Sequence, residues 1–276
     1  MAKLVWDQTA EHLYETGDDR AVVYPYNSTS KAYDKGYAWN GITGVTESPS
    51  GADETALYAD NIKYLSLRSA EEFGMTVTAY TYPDEFAELD GSAFPVKGVR
   101  IYQQARKTFG FSYRSIIGND TDANDYGYKL HLIYGLTASP SERGYSTVND
   151  SPEAIEFSWE MTGVPVAITG YKNSCVLTVD STAFTSTEDK AKLTALENIL
   201  WGTDAEDVYT KVTPVGSENP VTEGWYEKTG NVYVLSADTT FDAMKTYYAK
   251  TTTATATDAR LPLPDEVFTI LGGIGG

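Results

Sequence analysis

His12 and His131 are the only two histidines in the 276 residues, so any Ser-His-Asp or Cys-His relay would have to use one of them. His12 lies in a polar N-terminal segment. His131 shares the polar side of a strand-like alternation with Lys129, opposite Leu130 and Leu132. No Ser stands in a Gly-x-Ser-x-Gly elbow. Both imidazoles read as surface or interface groups. The single cysteine, Cys175, is flanked by Ser174, Val176 and Leu177 with no adjacent cation, which describes a small buried hydrophobe rather than an activated thiol.

Metal and cofactor signals are equally thin. Asp120, Asp122 and Asn124 open like a calcium loop, but the next position is Asp125 where Gly is needed, and the twelfth is His131 where Glu is needed. A β-hairpin turn describes the segment better. No Cys/His cluster has zinc spacing, and no Walker loop or dinucleotide fingerprint occurs. Glu156 and Glu160 share one strand face, and with 39 acidic residues a pair at glycosidase separation can arise by chance. Nothing sets them apart from a solvated row. No catalytic, cofactor-binding or metal-binding residue is assigned, and the chain is not read as an enzyme.

The elements that carry these residues are mainly β. Tyr occurs 21 times, and Gly, Ser, Thr and Asp fill the gaps between short apolar runs, a mixture that favours many strands and turns. Strands are expected at Val22–Pro25, Tyr37–Val45, Met75–Tyr82, Val96–Gln103, Lys107–Ile117, Tyr128–Tyr134, Val166–Ile168 and Cys175–Val179. Phe109, Phe111 and Tyr113 alternate with Thr108, Ser112 and Arg114 as if one face were buried. The clearest alternation runs over Ala154–Met161, with Ile155, Phe157, Trp159 and Met161 on one side and Glu156, Ser158 and Glu160 on the other. Pro83 stops the strand before it, Asp84 is placed to cap a short turn over Phe86 and Leu89, and Gly91 to end it. Thr46–Ala59 and Thr137–Pro152 read as long polar connections.

One helix is expected at Glu188–Leu200. Ser186 and Asp189 form a capping box, Leu193, Leu196 and Leu200 make the apolar stripe, and Gly202 ends it. The character changes over 205–257, where Trp225–Glu227, a turn at Lys228–Asn231 and Val232–Leu235 predict a hairpin, and Lys245–Lys250 a third strand. Thr251–Thr257 reads as a return linker and the terminal glycines as disordered. The predicted organisation is one domain of residues 1–204 plus 258–276, with residues 205–257 a small inserted β module on its outer surface.

The formal charge is −18, from 39 acidic and 21 basic residues. Backbone-driven nucleic-acid binding needs the opposite balance. The charge serves either solubility or a surface along which DNA passes without sticking. No apolar run is long enough to span a bilayer, and the first residues lack the apolar core of a signal peptide, so synthesis in a cytoplasm and no membrane partner are expected.

Several stretches in order resemble the major tail protein (tail tube protein) of long-tailed, non-contractile bacteriophages of Gram-positive hosts. They are Glu71–Gly74 with Ala79–Phe86, Lys107–Arg114, Leu136–Arg143, Glu156–Glu160 and Arg260–Val267. The resemblance covers most of the chain outside 205–257. It implies a tail-tube-type β-sandwich or barrel with one flanking helix. Its subunits would form hexameric rings that stack into a negatively lined conduit for DNA. The partners it implies are further copies of the chain, the tape measure protein, the tail terminator and baseplate proteins, and genomic DNA passing without specific binding, all in a virion tail. It places ring stacking in Thr46–Ala59, with Glu47, Asp53, Glu54, Leu57 and Tyr58 as contact residues, and makes Glu156 and Glu160 candidate lumen acids. The alternatives are a β-sandwich carbohydrate-binding or adhesion module, using the 21 Tyr and 5 Trp as stacking platforms, and the ring protein of a bacterial secretion tube.

Overall fold

In chain order the structure, a computed structural model, opens with β1 (Tyr14–Asn27), β2 (Ala32–Tyr33), β3 (Tyr37–Ala38), β4 (Ile42–Glu47), β5 (Ser50–Gly51), β6 (Glu54–Ala59), β7 (Ile62–Arg68) and β8 (Glu71–Ala79). A 3-10 turn at Asp84–Glu88 leads into β9 (Ser92–Val96), β10 (Val99–Tyr102), β11 (Phe109–Asn119), β12 (Ala123–Ala138), β13 (Phe157–Gly163) and β14 (Val176–Asp180), followed by helix α1 (Thr187–Trp201). Next come β15 (Glu206–Lys211), the short α2 (Pro220–Glu223), β16 (Tyr226–Thr229), β17 (Val232–Leu235) and β18 (Tyr247–Ala254), and the chain then forms α3 (Pro264–Leu271). The residues described are 4–145, 147, 154–212, 219–229, 232–240 and 242–273. Gly230 and Asn231 of the turn expected at Lys228–Asn231, residues 146 and 148–152 of the Thr137–Pro152 connection, and residues 274–276 lie outside that set.

The fold is mainly β, with large antiparallel sheets and few helices. Two units separate: Met1–Trp201 with Ala259–Gly276, and Gly202–Asp258. The first is built on a ten-stranded sheet ordered β2-β1-β11-β12-β13-β8-β4, with β14 on β12, β3 on β1 and β5 on β8. Its centre is β11, buried at nearly every position. The period-2 geometry of strands divides its neighbours between two cores. On one side Val23, Phe109, Phe111, Tyr113 and Ile133 meet Met75 and Val77 of β8 and Trp159 and Met161 of β13, with Trp39, Phe86 and Leu89 closing the cluster. On the other, Val22, Tyr24, Leu130, Leu132 and Tyr134 pack against Leu193, Leu196 and Leu200 of α1 and Val267 of α3. Each leucine buried in this way contributes roughly 1.5–3 kcal/mol relative to exposure. The expectation of one buried face for Lys107–Ile117 is therefore corrected: both faces are covered. Ser112 is only 3% exposed and bonds the Tyr24 hydroxyl at 3.0 Å, and that hydroxyl donates to the Leu200 carbonyl oxygen at 2.8 Å.

The helix signals are realised as local chemistry. The Asp189 N–H donates to Ser186 Oγ at 3.0 Å and the Ser186 hydroxyl donates back to the Asp189 carboxylate at 2.7 Å. A further helix, α3, lies against the same core, started by Pro264 at its first turn. The turn after Pro83 buries Phe86 and Leu89 as expected, but Asp84 is not its cap: Pro83 takes that position and no side chain caps it.

Other strand limits move. The strand expected at Val22–Pro25 begins at Tyr14, because its polar half is held in register by β11 from Tyr14↔Gly118 onward, with bulges at Thr16/Asp18 and Asp19/Val22. Tyr37–Val45 divides into β3 and β4, and Val96–Gln103 is the second half of a β9–β10 hairpin. Val166 makes only an isolated bridge, to Ser174. Gly135, at φ +65, lets the backbone pass so close to Val164 that a Cβ there would sit 2.2 Å from the Val164 carbonyl oxygen.

In the second unit the sheet order is β15-β18-β16-β17. It has four strands where three are expected, because β15 is hidden in a polar stretch and Thr251–Ala254 extends β18 rather than forming a linker. Trp225 and Tyr247 are its buried aromatic pair, 5.9 Å apart.

Candidate functional site: an exposed hairpin and an arginine cleft

Thr46–Ala59 is not a loop. Its first residues end β4, and Glu54–Ala59 pairs with Ile62–Arg68 in a β6–β7 hairpin. Asp60 and Asn61 form the two-residue turn at φ 51° and 63°, the left-handed pair that a type I′ hairpin demands and that Asp and Asn tolerate. The base is closed by Asp53 and Ser69: the Asp53 N–H donates to Ser69 Oγ and the Ser69 N–H to the Asp53 carbonyl oxygen, each at 3.0 Å.

The register places Leu57 opposite Leu65 and Thr55 opposite Leu67, so these leucines share one face, while Glu54 lies opposite Arg68 and Ala56 opposite Ser66. On that second face the Glu54 carboxylate takes Lys63 Nζ and the Ser66 hydroxyl, which hold its pKa below the ordinary glutamate value. Leu57, Tyr58, Ile62, Tyr64, Leu65 and Leu67 are all exposed, from 38% at Leu65 to 72% at Tyr58. A two-stranded ribbon has no second layer in which to bury them.

The expected contact residues are thus divided. Glu54, Leu57 and Tyr58 lie on β6 and Asp53 at its base. Glu47 belongs to the body of the sheet, where its carboxylate accepts from the Tyr113 hydroxyl at 2.9 Å and lies 3.8 Å from His131 Nδ1. Burial holds His131 below its ordinary pKa against the pull of Glu47, Glu15 and Asp18, so at neutral pH this contact joins a carboxylate to a neutral ring rather than an ion pair. The sequence reading missed Lys63, Tyr64, Leu65 and Leu67. The Asp60–Asn61 pair between two β-prone runs was the signal for them.

Glu156 and Glu160 are exposed on either side of Ser158, beside Thr76 and Thr78 of β8. Glu156 accepts from the Thr43 hydroxyl. β4 pairs only with β8 and is an edge strand among the described residues.

A second cluster, invisible in the sequence, lies where β9–β10 meets residues 139–145. Asp90, with its side chain 3% exposed, accepts on Oδ2 from Arg100 Nη2 at 3.0 Å and Arg143 Nη2 at 2.7 Å. Arg100 also donates to Ser92 Oγ at 2.7 Å and the Tyr82 hydroxyl at 2.6 Å. The adjacent cleft, about 690 Å³, is lined by Arg106, Arg143, Gln104, Tyr102, Ser141 and Trp159 among others.

His12 is an exposed partner of Asp120, 3.2 Å away. Asp120–Asp122 lies in the β11–β12 turn, and no three His, Cys, Asp or Glu side chains among the described residues converge as a metal set. Cys175 is buried, and that burial pushes its thiol pKa up. No helix among the described residues is long and apolar enough to cross a membrane. The chain matches no protein-family model and no curated protein.

Proposed function

We propose that this chain is a structural virion protein whose copies close into hexameric rings and stack into a phage tail tube, a negatively lined conduit for DNA. The observation that carries this reading is the β6–β7 hairpin, which presents six large apolar or aromatic side chains to solvent and, among the described residues, pairs with no further strand. Apolar surface concentrated in this way marks an interaction site, and a second copy of the chain is the partner that the tail-tube resemblance supplies. An edge strand at β4 is the kind of unfinished sheet that assembly completes. The tape measure, terminator and baseplate proteins would meet the tube at its axis and ends, and DNA would pass along acidic walls without specific binding.

The carbohydrate-module alternative needs open aromatic platforms. In the second unit Tyr209 and Tyr233 stack face to face at 4.0 Å, with Tyr226 and Tyr248 edge-on at 5.2 and 5.0 Å, so these rings spend their faces on one another.

Negative-stain microscopy of concentrated protein tests the proposal. Wild type forms tubes. A variant with Glu54–Arg68 replaced by a glycine turn between Asp53 and Ser69 keeps its far-UV spectrum and forms none. Lone particles of wild type at every concentration, together with its absence from virion tails, overturn the reading.

A further inference from the structure

Arg106 and Arg143 line the cleft beside β9–β10, and the one buried carboxylate on its wall, Asp90, is shared between Arg143 and a third guanidinium, Arg100. Arg106 is half-buried with its guanidinium against Gly91, so close that a Cβ there would meet its Cγ and Cζ at 3.1 Å. Its Nε is buried without an acceptor, and among the described residues Arg106 has no ion pair. Trp159, 2% exposed and on the same wall, likewise has a buried Nε1 with no acceptor. Partly burying a guanidinium that nothing neutralises is costly. In a chain of net charge −18, a local surplus of positive charge is a feature that needs an occupant.

We propose that this cleft is a carboxylate-binding site, with Arg106 as the principal partner of the ligand carboxylate and Arg143 as the second. The planar guanidinium fork suits a carboxylate in bidentate geometry. The flanking rings of Tyr102 and Tyr145 and the amide of Gln104 favour an organic acid over a bare inorganic anion. Two sources share that chemistry: an acidic side chain of a neighbouring copy, or a free organic acid. The first rests on the assembly reading; the site itself does not.

Glutarate, which carries the glutamate side-chain carboxylate, is the probe. It is titrated into the full chain at constant ionic strength against chloride and against inorganic phosphate, following tryptophan emission and Tm, with sedimentation velocity in parallel. Wild type gives a saturable response that chloride and phosphate do not reproduce. Arg106→Gln weakens it by about tenfold or more, Arg106→Lys restores part of it, and Arg68→Gln on the hairpin leaves it unchanged. If glutarate also dissociates assembled protein, the natural carboxylate comes from a neighbouring copy; if it binds without changing the association state, the source is a free acid. No saturable response in wild type, or an equal one in Arg106→Gln, overturns the site. Absence of tubes alongside glutarate binding removes the assembly reading and leaves the site standing.

Discussion

The rings of Tyr113 and His131 lie parallel, 2° apart in plane and 4.4 Å between centroids, directly opposite each other in the β11–β12 register. The Tyr113 hydroxyl reaches Glu47 of β4 at 2.9 Å, and His131 Nε2 is 3.0 Å from Ser115 Oγ. The stack therefore ties the central strands to the strand that leads into the exposed hairpin.

His131 makes that tie sensitive to acid. Burial keeps its imidazole below the ordinary value, outweighing Glu47 on β4 and Glu15 and Asp18 on β1, while Lys129 on its own strand opposes the charge as well. A histidine whose folded pKa is depressed binds fewer protons folded than unfolded, so stability is lost as pH falls below about 6.5. Urea midpoints at pH 7.5 and 5.5 should show wild type weakening toward the lower value and His131→Gln weakening less. Equal slopes would remove His131 as the cause.

Phe86 and Leu67 should separate stability from assembly. Phe86 is fully buried, with Trp39 at 4.5 Å and Phe109 and Trp159 each at 5.7 Å. Phe86→Ala is expected to cost about 3–5 kcal/mol in chemical denaturation. Leu67 is 55% exposed on the hairpin, so Leu67→Asp should change stability by no more than about 0.5 kcal/mol yet reduce tube formation under the microscope. A large stability loss at Leu67 would show that the hairpin face is already covered within one chain.

What could be read from the sequence was local. The capping exchange of Ser186 and Asp189 and the Leu193, Leu196, Leu200 stripe sit within a few turns of each other, and α1 follows them to within a residue at each end. Trp159 and Met161 declared their buried face by alternation alone. The polar half of β1 could not be read this way: Tyr14–Asp18 is exposed and strand-like only because β11 supplies its hydrogen bonds. The small polar start of the hairpin resembles a loop, although Asp60–Asn61 encodes the turn. Arg143 and Asp90 are 53 residues apart, and nothing in either neighbourhood points to the other.

Excising the second unit should leave the first intact. Thr203 and Thr257 bridge each other through reciprocal backbone bonds of 3.0 Å, which brings the two ends of the unit together. The Arg260 N–H already donates to the Ile199 carbonyl oxygen at 2.8 Å, so a short glycine link between Trp201 and Ala259 spans little distance. The shortened chain is expected to keep the near-UV signal of the Trp39–Trp159 cluster and to form tubes. Loss of that signal would show that Gly202–Asp258 is needed for the core.

Glu156 and Glu160 offer the sharpest test of a purpose for the negative charge. Both side chains are exposed, and neither has a cationic partner among the described residues; Glu156 meets only the Thr43 hydroxyl. Replacing both by Gln therefore strands no buried charge, and the change in stability should stay within about 0.5 kcal/mol. If the face shared by β13 and Glu156 just before it lines a channel, each copy contributes this acidic row to a wall facing DNA, whose own charge is about one per 1.7 Å of axis. Repulsion keeps the duplex centred and moving; neutral amides can instead hydrogen-bond phosphates and slow it. Phage carrying Glu156→Gln with Glu160→Gln should assemble tails of normal length and release DNA more slowly in a dye-based ejection assay. Release at the wild-type rate would place this row on the outside of the tube and leave the charge to solubility alone.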